Sequence, residues 1–336
     1  MTDYALTDIK AYEIIDNRGM PTIRVAVCID NKFWGHADVP SGSSTCSYEA
    51  MELRDGDARY RGKGVLKAIQ NIHDIILPEL RGKDASDQHA IDTRMLELDG
   101  TENKSNLGGN AILGVSLAVA RAAANACGKT LYKYLNADAS VLPVPQACLL
   151  NGGVHAGNDL DIQEFCVMPT GARTFAESVQ ILCEAFYSLK DILLYMLGKS
   201  ATNWGEVGGF APPIASTRQA LDFLCEAIQR SGYTDKVVFG LDFAASGYYH
   251  PRKGTYAFEG SQKTQDEMIT FIEELLTEYP SIVSIEDPLH ENDLEGMRVL
   301  TDAFSKHLII GDDMFATNIK RIQKGLEKGA GNATLC

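Results

Sequence analysis

From Leu142 onward, short apolar runs alternate with segments of helical periodicity, and this alternation constrains the fold more than any other feature of the chain. The apolar runs are Leu142 to Leu150, Ile162 to Met168, Val237 to Phe243, Ile282 to Ile285, Leu308 to Ile310 and Ala333 to Cys336. Between them lie helical patterns over Phe175 to Leu197, Thr217 to Ser231, Thr264 to Tyr279, Asp293 to Phe304 and Asn318 to Lys328. Alternation of this kind predicts an α/β barrel with its strands inside and its helices outside. A closed barrel needs about eight strands, and the six runs supply fewer. The last run ends as its strand opens, so the expectation is an incomplete barrel, either unstable alone or completed by something else.

The preceding segment has a different rhythm. Thr7 to Asp38 reads as three strands, with Ile9-Ala11-Glu13-Ile15 and Thr22-Arg24-Ala26-Cys28 on alternating faces and a turn at Asn31-Lys32. A polar loop, Ser41-Gly42-Ser43-Ser44-Thr45, follows, then helical patterns over Gly64 to Leu77, Ser86 to Leu98 and Asn110 to Ala126. Strands followed by helices predict an α+β cap domain over residues 1–135, with the barrel domain over 136–336.

Composition narrows the function classes. The formal net charge is −14, which repels nucleic-acid phosphates and anionic lipid. The most apolar stretch, Ala111 to Cys127, is interrupted by Arg121 and Asn125 and is too short to span a membrane. The eight cysteines include no C-x-x-C pair, so neither a disulfide framework nor a zinc finger is signalled. Reduced, buried thiols and an acidic N-terminus without a secretory segment predict a cytoplasmic protein.

Polar residues gather where the barrel strands end: His155, Glu164, Asp242, Glu286-Asp287 and Asp312-Asp313. Asp242, Glu286 and Asp312 end three successive strands, so their carboxylates can converge on one point. Three carboxylates in one cleft repel each other unless a cation lies between them, and an all-oxygen ligand set suits Mg²⁺. Ordinary helix caps or solvated loop acids explain any single Asp better than a metal does, and it is the three at equivalent strand ends that shift the balance to a metal. Such an ion would hold a substrate carboxylate or phosphate and stabilise an enediolate-type intermediate. That chemistry requires a base for a carbon-bound proton, and no lysine ends any of these strands. His155 lies in a glycine-rich loop, residues 151–158, that is able to bring it to a ligand.

Longer motifs carry a family resemblance. Asp16-Asn17-Arg18-Gly19-Met20-Pro21-Thr22, Pro40-Ser41-Gly42-Ser43-Ser44-Thr45, Leu98-Asp99-Gly100-Thr101, Gln163-Glu164-Phe165, Ser284-Ile285-Glu286-Asp287-Pro288 and Gly311-Asp312-Asp313 occur in order. On these the chain resembles enolase, the Mg²⁺-dependent phosphopyruvate hydratase, from about Ile9 to Leu335. The resemblance implies a glycolytic lyase that interconverts 2-phosphoglycerate and phosphoenolpyruvate, built as a cap and a TIM-like barrel and usually a homodimer. It implies Asp242, Glu286 and Asp312 as ligands of the first Mg²⁺ and Ser44 as a ligand of the second. It also implies substrate-site roles for His155, Gln163, Glu164, Glu286 and Asp312.

Two positions depart from the pattern. Val207, in Asn203-Trp204-Gly205-Glu206-Val207-Gly208-Gly209, stands where the resemblance expects the proton-donor glutamate. The base lysine is expected about one residue beyond Cys336, with the anion-binding segment farther on. The resulting expectation is an inactive or impaired enolase, a truncated pseudoenzyme. The alternatives are a chain completed by a partner and a non-catalytic module that pairs with a full-length enolase.

Overall fold

Residues 4–42 and 46–336 are described by the computed structural model. They form two units, one of residues 4–42 and 49–141, the other of 46–48 and 142–336.

In the first unit, β1 (Leu6–Ile15), β2 (Pro21–Ile29) and β3 (Phe33–Asp38) form an antiparallel meander in the order β1-β2-β3. The helical side is built from α1 (Leu66–Asn71), a π-helical turn, α2 (Leu77–Leu80), α3 (Gln88–Asp99), α4 (Gly109–Ala126) and α5 (Leu131–Leu135). Ile23, Val25, Val27 and Ile29 of the central strand are buried against the small-residue face of α4, which includes Val115, Ala118 and Ala122. Helix α3 starts where the Asp87 side chain accepts a hydrogen bond from Ala90 N at 3.0 Å and stops at the left-handed Gly100. Asp99, from one of the family motifs, is buried and accepts bonds from the amides of Thr101, Asn106 and Leu107. Its work is to hold that loop.

The second unit contains β4 (Ala147–Asn151), β5 (Glu164–Met168), α6 (Phe175–Leu197), α7 (Thr217–Ser231), β6 (Val238–Asp242), β7 (Tyr249–His250), β8 (Thr255–Phe258) and β9 (Ser261–Lys263). It continues with α8 (Gln265–Glu278), β10 (Ile282–Glu286), α9 (Leu294–Ala303), β11 (Leu308–Gly311), α10 (Ile319–Lys328) and β12 (Ala333–Thr334). Six strands make one open, mixed sheet in the order β12-β11-β10-β6-β5-β4, so the fold is α/β with an unclosed barrel sheet. Side-chain caps start α6 to α10 at Thr174, Ser216, Thr264, Asp293 and Asn318, with a full capping box at Thr264 and Glu267. The core between sheet and helices is apolar and includes the fully buried Phe165, Phe210 and Phe243.

The structure departs from the periodicity in three places. The first barrel strand begins at Ala147 rather than Leu142, because Pro143 and Pro145 cannot donate to a ladder. The β7-β8-β9 sheet, an insertion of very short strands between β6 and α8, escapes a pattern search tuned to longer runs. Strand β5 runs antiparallel to both of its neighbours, β4 and β6, whereas β6, β10, β11 and β12 are parallel. A single crossover helix returns the chain to the end it left, giving parallel strands. The two helices α6 and α7 between β5 and β6 return it to the opposite end.

Candidate functional site

Strand direction decides which side chains share a rim. In the parallel pair β6–β10, Asp242 stands opposite Glu286, and Glu286 stands opposite Ile310 of β11. Asp312 lies two residues past Ile310, so pleat alternation keeps it on the face of the other two acids. Glu164 requires a correction: it opens β5 and does not end it. Because β5 runs antiparallel, its first residue pairs with Asp242, the last of β6, and reaches the same rim. Gln163, the residue before, donates from Nε2 to Asp242 Oδ2 at 2.9 Å. His155 sits in a short 3₁₀ turn, 5% exposed, with Nδ1 at 3.2 Å from Glu164 Oε1.

The rim is electrostatically crowded. Burial and then the nearby Glu164 push the Asp242 carboxyl up to about 7, against opposing hydrogen bonds from Ala244 N and Gln163. Burial, then Asp242, Asp287 and Asp312, push Glu286 up to about 10. Asp287 is 2% exposed and is also raised well above the carboxylate range by burial and its acidic neighbours. Its carboxylate accepts from the Asp313 amide at 2.6 Å and the Asp312 amide at 3.2 Å, from a residue held at φ 37°. Asp287 therefore positions the turn that carries Asp312. Asp287, Asp312 and Asp313 also present oxygens within 4.8 Å of one another, a grouping the three-strand argument does not reveal.

These residues fit a hard divalent cation. The donors are all oxygen, and their repulsion is what a cation would relieve. A pH dependence follows for the chelated protein. The raised acids hold protons in the folded state that the unfolded chain releases, so their stabilisation is complete below the ordinary carboxylate range. It is lost as pH rises through about 7 for Asp242 and about 10 for Glu286. Melting temperatures measured with chelator from pH 5 to 9 are expected to fall along this course, and excess Mg²⁺ is expected to flatten the fall.

A cavity of about 770 Å³ opens beside the rim, lined by residues that include Gln163, Tyr248, Glu291 and Asp313. Tyr248 is a wall residue with no sequence signal; its hydroxyl is buried and lacks a hydrogen-bond partner among the described residues. Val207 is 45% exposed in a loop tied to the end of β4, where Glu206 N donates to His155 O at 2.9 Å and Phe210 N to Leu149 O at 2.9 Å. The expected second-metal ligand, Ser44, lies outside the described residues. Among the described residues, no helix is long and apolar enough to cross a membrane.

Two family models match the chain: "Enolase, N-terminal domain" over residues 6–135 and "Enolase, C-terminal TIM barrel domain" over residues 139–336. A curated enolase of Thermococcus kodakarensis is 51% identical over 336 residues, covering 99% of this chain and 78% of that protein. The enolase of Methanocaldococcus jannaschii is 50% identical over 333 residues, with the same coverage of both chains.

Proposed function

The chain belongs to the enolase family, and from that premise we propose that its barrel rim binds Mg²⁺ and 2-phosphoglycerate or phosphoenolpyruvate, the two sides of the family's glycolytic reaction. The observation that carries this reading is the meeting of Asp242, Glu286 and Asp312 with Gln163, Glu164 and His155 at one rim, although they come from strands of opposite direction. Asp242, Glu286 and Asp312 would hold the ion. When bound, Mg²⁺ polarises a substrate carboxylate and offsets its charge. Gln163 orients Asp242, while Glu164 and His155, 3.2 Å apart, face the substrate together. Asp287 fixes the turn that presents Asp312.

We also assign this chain weak dehydration chemistry. Val207 stands at the family's proton-donor position and has no proton to give. A general acid contributes roughly 10²–10⁴-fold, so turnover is expected to lie below that of enolases with glutamate there by about that factor. Calorimetric titration with 2-phosphoglycerate, beside an absorbance assay for phosphoenolpyruvate, tests both parts. Saturable binding that disappears with chelator is expected, with slow or no turnover. Turnover at the rate of those enolases would overturn the role given to Val207, and absence of Mg²⁺-dependent binding would overturn the site.

A further inference from the structure

One layer below the acid rim, the sheet interior holds a second group of ligating atoms. Cys148 of β4 and Cys166 of β5 stand directly opposite each other in the antiparallel ladder. Cys166 is two residues from Glu164 and so shares its face. The sulfurs of Cys148 and Cys166 and a carboxylate oxygen of Glu164 all lie within 4.8 Å of one another. The Cys166 thiol donates to Glu164 Oε2 at 3.7 Å. Asn151 Nδ2 donates to Cys148 Sγ at 3.2 Å, and the Cys148 thiol donates to Leu150 O at 3.2 Å. Gly240 stands opposite Cys166, and a Cβ there would come within 3.8 Å of Cys166 Cβ.

Buried thiols often serve only as small apolar filler. Filler does not explain two of them in register with a carboxylate between them and the solvent. Cys166 is 3% exposed, but Cys148 and Glu164 are half-buried, so the group is reachable from the rim.

We propose that Cys148, Cys166 and Glu164 form a site for one soft divalent cation, of the Zn²⁺ or Cd²⁺ class, separate from the all-oxygen cradle. Two sulfurs and one oxygen leave a fourth tetrahedral position for water. Metal–sulfur bonds of about 2.3 Å and metal–oxygen bonds of about 2.1 Å place such ligands roughly 3.5 Å apart, within side-chain reach of the observed spacing. Binding releases both thiol protons to solvent and leaves the metal in its original oxidation state. Mg²⁺ is a poor competitor, because thiolates select soft ions. Occupancy also makes the ion, on the Oε2 side facing Cys166, share the Glu164 carboxylate with His155, which lies 3.2 Å from Oε1. On the substrate reading given above, such an ion would therefore oppose substrate binding; the metal site itself does not depend on that reading.

The test is a Cd²⁺ titration of the whole chain, kept reduced with a phosphine and saturated with Mg²⁺, read by thiolate-to-cadmium charge-transfer absorption. One ion per chain is expected. C148S and C166S should each weaken binding by more than about 100-fold, since losing only an outer-shell partner costs 10–100-fold. E164Q should weaken it measurably, and C183S and C225S, at exposed thiols, should leave it unchanged. Charge transfer that survives in both C148S and C166S overturns the proposal. If a serine variant fails to fold, alkylation of the unmodified chain decides: Cd²⁺ must protect the half-buried Cys148 while Cys183 and Cys225 still react, and equal alkylation of Cys148 with and without Cd²⁺ overturns the site.

Discussion

Glu286→Gln is expected to raise the melting temperature of the chelated protein at pH 8 and to abolish its response to Mg²⁺. The two signs have one cause. Without metal, Glu286 is 7% exposed among Asp242, Asp287 and Asp312, and it is pushed up to about 10. At pH 8 the folded protein therefore keeps it protonated while the unfolded chain ionises it, a cost that glutamine, the isostere of the neutral acid, removes. A gain of at least about 3 °C is expected, which for this size of domain corresponds to roughly 1 kcal/mol. With metal, the ionised carboxylate is the ligand, and glutamine supplies only a neutral carbonyl oxygen. The affinity for Mg²⁺ should fall by more than about 100-fold, beyond the usual effect of losing an outer-shell partner. Differential scanning fluorimetry with and without Mg²⁺ reads both arms. A variant that melts lower in chelator and still shifts with Mg²⁺ would show that Glu286 serves the packing and not the ion.

The second large effect concerns the first unit. Gly35→Ala in β3 is expected to cost about 3 kcal/mol or more, at the upper end for overpacking. A Cβ at residue 35 would lie 2.5 Å from Ala118 O and 2.7 Å from Ala122 Cα of α4, and closer still to Ala122 N. All three are backbone atoms of one helix, so no rotamer change relieves the clash; the helix must leave the sheet. The melting temperature should drop by roughly 10 °C. Amide exchange should accelerate in β3 and α4 first. Gly247→Ala is the control, since a Cβ there meets nothing within 4 Å. An unchanged melting temperature for Gly35→Ala would mean that α4 is not seated on β3 as described.

Much of this protein is legible in one dimension, and particular residues show where that ends. Apolar periodicity from Leu142 onward, with capping residues such as Thr264 and Asp293, specifies helices and strands because these are interactions of neighbours in the chain. Acids following the apolar runs place Asp242, Glu286 and Asp312 on strands of like direction, and motif order identifies the family. The position of Glu164 was not recoverable in that way. Its place at the start of β5, rather than the end, follows from the two helices between β5 and β6, and only the antiparallel ladder brings it to Asp242. The same holds for Asp287, whose hydrogen bonds go to amides 25 and 26 residues away, and for Cys148 opposite Cys166. Local periodicity and capping thus determined the elements and the acids that end them. Strand direction and cross-strand register decided which side chains meet, because both are settled by packing between segments distant in the chain.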